Sequence, residues 1–433
     1  MSKISALVFG LASSPMIAGL FPMANAGQQS DANGFIQGSQ LVLTNRNYLF
    51  NHDFKGGVWD GRDWAHALLF SYTSGFTQGT VGLGVDAIEN IILKLDEQGN
   101  GTGNLHRNHD DETESFTHFG MALKARVSNT VIKYGTQSPV SPMLADIGSR
   151  IQPLTAYGLN VMSKEIAGLD LEAAHFTGST GWNSSSRKGP LKAFYANVDV
   201  DSIDYAGATY KVNDALSVSL YAAYIEDLWR QYYSGAIYTL PLSKTQSLNV
   251  NFNLYRTLDE GQAVAGDINN TAWSLAASYT WGAHRLTLAR QQIHGDVPMD
   301  YIGQGNENSP SYSIYLANSA QTSDFNAPGE KSTQIRYDLD MANFGVPGLT
   351  LTTRYIYGDD VDGTQADPRG AYAGKYGAHG SEREYGVQVG YVVQSGPAKD
   401  LAIQVRQYFH RGDDLGLASD QFRLMISHPL SLF

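Results

Sequence analysis

Short and long connectors take turns along this chain, and that alternation limits the fold more than any other feature. They join segments in which polar and apolar residues alternate, such as "WAHALLFSYT", "THFGMALKARV", "LSVSLYAAYI", "SLNVNFNLY", "STQIRYDLD", "LTLTTRYIY" and "EYGVQVGYVV". Successive side chains of a strand point to opposite faces, so each segment reads as a strand; there are about 18. Tight connectors are "TQG" near 78, "SNT" at 128–130, "VND" at 212–214, "PLSK" at 241–244, "WGAH" at 281–284, "VPG" at 346–348 and "SGPAK" at 395–399. Their Gly, Pro, Asn and Ser residues suit hairpin turns. Between them lie long polar stretches at 95–115, 137–155, 178–200, 294–330 and 358–382. Tight turns on one side and long loops on the other are the arrangement of a transmembrane antiparallel β-barrel. A soluble β-sandwich has no reason to sort its connectors this way.

The opening residues predict export. Lys3 precedes an apolar run from Ile4 to Phe21, and Ala24-Asn25-Ala26 has the small-residue form of a cleavage site. Residues 1–26 read as a signal peptide and residues 27–433 as one barrel domain. Beyond residue 26 no apolar run is long enough to cross a bilayer as a helix. The chain has no cysteine, so a closed hydrogen-bonded ladder has to replace disulfides in an exported protein. Thirty Lys and Arg against 42 Asp and Glu give a net charge of −12, the wrong sign for a nucleic-acid partner. The last segment, "FRLMISHPLSLF", ends on Phe433, as outer-membrane barrels commonly do.

In a membrane barrel the apolar parity faces lipid and the polar parity faces the pore. In "AIQVRQYFHR" that rule sends Ile403, Val405 and Phe409 outward and Arg406 inward. Lys124 and Arg126 turn inward from Leu123, Ala125 and Val127, and Lys133 from Ile132 and Tyr134. Arg336, Arg354 and Arg423 follow the same rule, while the parity of Arg46 in "LTNRNYLF" stays open. Cations on a pore wall lower the energy of a passing anion, and several weak sites let it both enter and leave. The plain alternative is that these groups pair with inward acids such as Asp338 and Glu384.

Several long motifs resemble the OprD-type outer-membrane carboxylate channels, nearest their OprE-like branch. They are "YVVQSGPAKDL", "VPGLTLTTRYIYGDDVDGT", "YLANSAQTSDFN", "IEDLWRQYY", "SGFTQGTVGLGVDA" and "FRLMISHPLSLF". The resemblance spans nearly the whole chain after residue 26. It implies an 18-stranded barrel in the outer membrane, a third loop folded into the pore, and uptake of small anionic or zwitterionic carboxylates along a basic ladder. By motif the ladder falls on Arg406 and Arg423, with Gln404 standing where relatives often carry a further arginine. "SPVSPMLADIGSRIQP" matches the inward loop and puts Arg150 at the constriction. "NSAQTSD" matches a pocket for the substrate's polar or positive end, giving Ser319 and Asp324, with Thr322 in place of a tyrosine; Tyr301 is a looser match.

Other chemistry finds little footing. "HRNHDDETE" (106–114) gathers His106, His109, Asp110, Asp111 and Glu112, but in a long polar stretch that reads as solvated loop. "GDDVDGTQADPRG" lacks the closing glutamate of a calcium loop. There is neither a nucleophile elbow nor a phosphate-binding loop. A barrel protease or lipase would need His118, His284 or His294 beside a nucleophile, and nothing groups them. A passive structural barrel or adhesin would show no inward basic bias. No metal or cofactor is expected, and lipid is the surrounding partner. Whether the channel forms a homotrimer is left open by the sequence.

Overall fold

The computed structural model describes residues 28–56, 60–99, 101–108, 111–146, 148, 150–304, 314–413 and 418–433. Residues 1–27, where a signal peptide is expected, and His109 and Asp110 lie outside the described residues. Eighteen strands form one sheet. They are β1 Gln40–Phe54, β2 Asp60–Thr73, β3 Gly82–Gly99, β4 Ser115–Val127, β5 Thr130–Gln137 and β6 Thr155–Ile166. Next come β7 Leu169–Thr180, β8 Ile203–Lys211, β9 Leu216–Ile225, β10 Trp229–Pro241, β11 Gln246–Asp259 and β12 Asn269–Trp281. The last six are β13 His284–His294, β14 Lys331–Asp340, β15 Leu349–Asp362, β16 Ala378–Val392, β17 Ala402–Asp413 and β18 Ser419–Ser431.

Each strand pairs antiparallel with the next, and β18 returns to β1 in register from Val42 opposite Ser431 to Phe54 opposite Ser419. Closure leaves no strand edge unpaired, which is what a lipid environment demands of a sheet. No helix among the described residues is long and apolar enough to cross a membrane.

Tight turns gather at one end. Val127 faces Thr130, and Trp281 faces His284 across a turn whose Gly282 has φ +58°, a conformation natural to glycine. The wall alternates as the sequence predicts. On β4, Phe119, Met121, Leu123 and Val127 are exposed to the lipid side, whereas His118, Ala122, Lys124 and Arg126 are buried inside.

The described residues between β5 and β6, 138–146, 148 and 150–154, cross the lumen rather than rising above it. Their Met143, Leu144, Ile151 and Leu154 are buried. The Tyr255 hydroxyl on β11 donates to the Pro142 carbonyl at 3.1 Å, while Arg46 on β1 donates to the carbonyls of Arg150 and Ile151 at 2.6 and 3.3 Å. With 18 strands, β1 and β11 face each other across the pore, so this loop is pinned at both walls.

The other end is roofed by loops. Asp300 accepts from the backbone N–H groups of Tyr195, Ala196 and Tyr301 at 2.7–2.9 Å and from the Tyr372 hydroxyl at 2.9 Å. One carboxylate thus ties three loops together, and short strands Leu191–Ala193 and Ile302–Gln304 pair beneath it.

Candidate functional site: the luminal constriction

Arg406 on β17 stands directly opposite Arg423 on β18, and Arg423 stands opposite Phe50 on β1. All three point inward. The Arg423 guanidinium lies 4.3 Å from the Phe50 ring centre, and Arg150 approaches the same ring at 5.0 Å. Arg150 also lies 4.3 Å from the Trp182 ring. Aromatic faces attract cations and hold these heads without neutralising them. The third loop and the β1–β18–β17 wall thereby bring Arg150, Arg423 and Arg406 to one level of the pore. Nε and Nη1 of Arg150 are buried with no acceptor. Arg406 donates to Gln321 Oε1 at 3.1 Å, and Arg423 to Gln421 Oε1 at 2.6 Å; both acceptors are neutral. Gln404, one inward position closer to the tight-turn end, faces Met425 and Gly390.

Arg354 belongs to the next inward row, 5.3 Å from the Tyr408 ring and 3.6 Å from Glu384. Glu384 is itself occupied, accepting the backbone N–H groups of Gln321, Thr322 and Ser323 at 3.0–3.2 Å. Three amides on one carboxylate hold the 317–326 loop inside the barrel mouth.

The remaining cations point inward but are spent on neighbours. Arg336 grips Asp338 with Nε and Nη2, the closest approach being 2.7 Å. Lys124 and Lys133 share Asp86 at 2.6 and 2.5 Å, and Lys124 also reaches the Ser74 carbonyl. Arg126 donates to Gln29 and packs over Phe76. Parity gives direction alone; Lys124, Lys133 and Arg336 differ from the ladder in being paired with acids, and Arg126 only in where it stands.

Across the lumen, loop residues converge on Asp324. Its Oδ2 accepts from the hydroxyls of Tyr195 and Tyr301 at 2.8 and 2.9 Å, and its Oδ1 from Ser319 at 2.6 Å. Burial pushes this carboxyl above its ordinary value, while the three hydroxyl donors pull it down. Ser319, Asp324 and Tyr301, which the resemblance assigns to one pocket, form one cluster here. Thr322 is not in it; its backbone N–H goes to Glu384.

Residues 33–432 match the family model described as outer membrane porin, OprD family. The chain belongs to the OprD family. Porin D of Pseudomonas aeruginosa is 49% identical over 423 residues, covering 95% of this chain and 96% of its own. Porin-like protein GalP of Pseudomonas putida is 31% identical over 426 residues, covering 96% and 98%. An improved crystal structure of Pseudomonas aeruginosa OprD superposes with a TM-score of 0.84 at 47% identity, covering 94% of this chain and 99% of that one. OpdK of the same species, crystallised with vanillate, gives 0.83 at 31%, covering 92% and 100%. This OprD-family chain is therefore an outer-membrane porin with a substrate-specific channel, and the enzyme reading has no support.

Three contributors escaped the sequence. Arg46 escaped because its strand carries Asn45 and Asn47 on the lipid side, so neither parity reads as apolar. Tyr195 lies 129 residues from Asp324, and no local pattern links them. Gln321 sits in the quoted "NSAQTSD" motif, but nothing in that motif reveals its contact with Arg406. His106 contacts the Asn183 carbonyl at 2.8 Å.

Proposed function

We propose that this porin passes small solutes bearing a carboxylate, the carboxylate moving along Arg423 and Arg406 while a positive or polar end turns to Asp324. The observation that carries this reading is the pair of arginines facing each other across the β17–β18 ladder beside Arg150. The two ladder arginines stand side by side on adjacent strands and hydrogen-bond glutamines, and cations on a pore wall lower the energy of a passing anion. Lys124, Lys133 and Arg336 serve structure on this account, each being paired with an acid, and Arg126 ties Gln29 and Phe76 to the wall away from the ladder. The vanillate crystallised with OpdK is an aromatic carboxylate, which fits the same chemistry. Liposome swelling tests it: benzoate or glutamate should enter faster than a neutral sugar of equal size. Equal rates would overturn it.

For assembly, a homotrimer within outer-membrane lipid is the state that the outer wall favours. Asn45, Asn47, His66 and Glu89 face outward on β1–β3, beside exposed Trp64, Leu83 and Leu93. Lipid cannot hydrogen-bond such groups, whereas neighbouring copies can. Glu89→Leu should lower the trimer fraction in native mass spectrometry; a monomer in both proteins contradicts the trimer.

A further inference from the structure

Beneath the third loop, on the tight-turn side, the luminal wall encloses a cavity of about 290 Å³, roofed by residues 138–140 and lined by Asn160, Glu172 and Tyr221. Neither the arginine ladder nor the Asp324 pocket uses it. Glu172, on the inward face of β7, accepts from the Tyr205 hydroxyl at 2.9 Å, the Asn160 amide at 3.0 Å and the Tyr221 hydroxyl at 3.5 Å. All three donors are neutral. The cavity's other carboxylates are matched: Asp86 with Lys133 at 2.5 Å, and Asp170 with Lys164 at 2.9 Å. Among the described residues of this cavity, Glu172 alone has a charge that no cation offsets.

A second observation points the same way. Asn160 is 4% exposed, and its amide oxygen accepts no hydrogen bond. Because its nitrogen donates to Glu172, that oxygen is the end left unfilled. A carboxylate and an unfilled amide oxygen beside a tyrosine ring suit a cation rich in N–H donors: an ammonium brings three and a guanidinium five.

We propose that Glu172, with Asn160 and Tyr221, receives the ammonium or guanidinium end of a zwitterionic or basic amino acid after it has passed the third loop. The inference rests on the reading that carboxylates follow the β1–β18–β17 wall. From there β7–β9 lie across the lumen. A solute gripped by its carboxylate turns its positive end first to Asp324, above the loop, and then to Glu172, below it. Two separated sites of modest strength let the solute advance without being trapped.

Swelling of liposomes in L-lysine and in glutarate decides it, comparing the native channel with Glu172→Gln. Glutamine keeps the shape and an acceptor for Tyr205. Lysine influx should slow several-fold while glutarate influx is unchanged. Unchanged lysine influx, or equal slowing of both solutes, overturns the site. Heat-modifiable migration in detergent gels confirms a folded barrel. Should Glu172→Gln fail to fold, Glu172→Asp keeps the charge but withdraws it by one methylene; it should slow lysine partially, and native lysine influx overturns the site. Should native glutarate enter no faster than a neutral sugar, the carboxylate reading fails, while the lysine comparison still judges Glu172.

Discussion

Phe50 meets two guanidinium groups, Arg423 at 4.3 Å and Arg150 at 5.0 Å, and its ring draws two like charges to one place on the pore wall. Arg46 does different work with the same chemistry. It is 1% exposed and spends its donors on the Arg150 and Ile151 carbonyls, so it holds the loop rather than the solute. Arg46→Met should leave those buried carbonyls short of a donor, at a cost of about 1–3 kcal/mol. Single-channel recordings should then show added current noise with ion preference retained; quiet native-like current would remove Arg46 from this role. Asp324 gathers three hydroxyls, and Asp324→Asn should slow basic amino acids more than plain carboxylates in a swelling assay. Equal slowing would mean that the cluster only shapes the loop.

At the scale of the element, the third loop and β17 carry the account. The loop is pinned at Tyr255 and Arg46, so Arg150 is held against the Phe50 and Trp182 rings rather than left to swing. Arg150→Ala should raise single-channel conductance and weaken anion preference; unchanged values for both would place the guanidinium off the ion path. On β17, Gln404, Arg406, Tyr408 and His410 are buried inside while Phe409 is exposed. Val405→Arg would put a charge on the lipid face at roughly 2–4 kcal/mol near the bilayer midplane, so it should impair barrel assembly. Normal yield of folded barrel would invert the assigned faces. Period-two patterning made these faces legible because lipid and water impose opposite demands on alternate residues. It could not reveal which inward cations were spent. Lys124 and Lys133 share an acid from β3, and Arg336 holds an acid two residues along its own strand.

Over the whole molecule, one closed sheet sets the pore and the loops tune it. The strands and their order were readable because period-two patterning marks each strand and alternate pairs are joined by short connectors. The loop cluster was not, since Asp300 binds Tyr195 and Tyr372 across 105 and 72 residues through contacts that leave no periodic trace. The topology puts Gly103 and Asp367 on the long-loop side and Pro397 on the tight-turn side. Cysteines at the first two should react with an impermeant probe on whole cells, and one at Pro397 should not; the reverse pattern would turn the barrel over.

The central claim is that Arg406 is a rung for anions, and the reversal potential under a salt gradient tests it most directly. Two partly solvated charges about 4 Å apart interact by about 4 kcal/mol at an effective dielectric near 20, and pore water screens much of that, leaving about 1 kcal/mol. Arg406→Gln should therefore shift the reversal potential towards cations and slow small carboxylates several-fold, with neutral sugars of similar size unaffected. A folded Arg406→Gln channel with native reversal potential and native carboxylate flux would contradict the account.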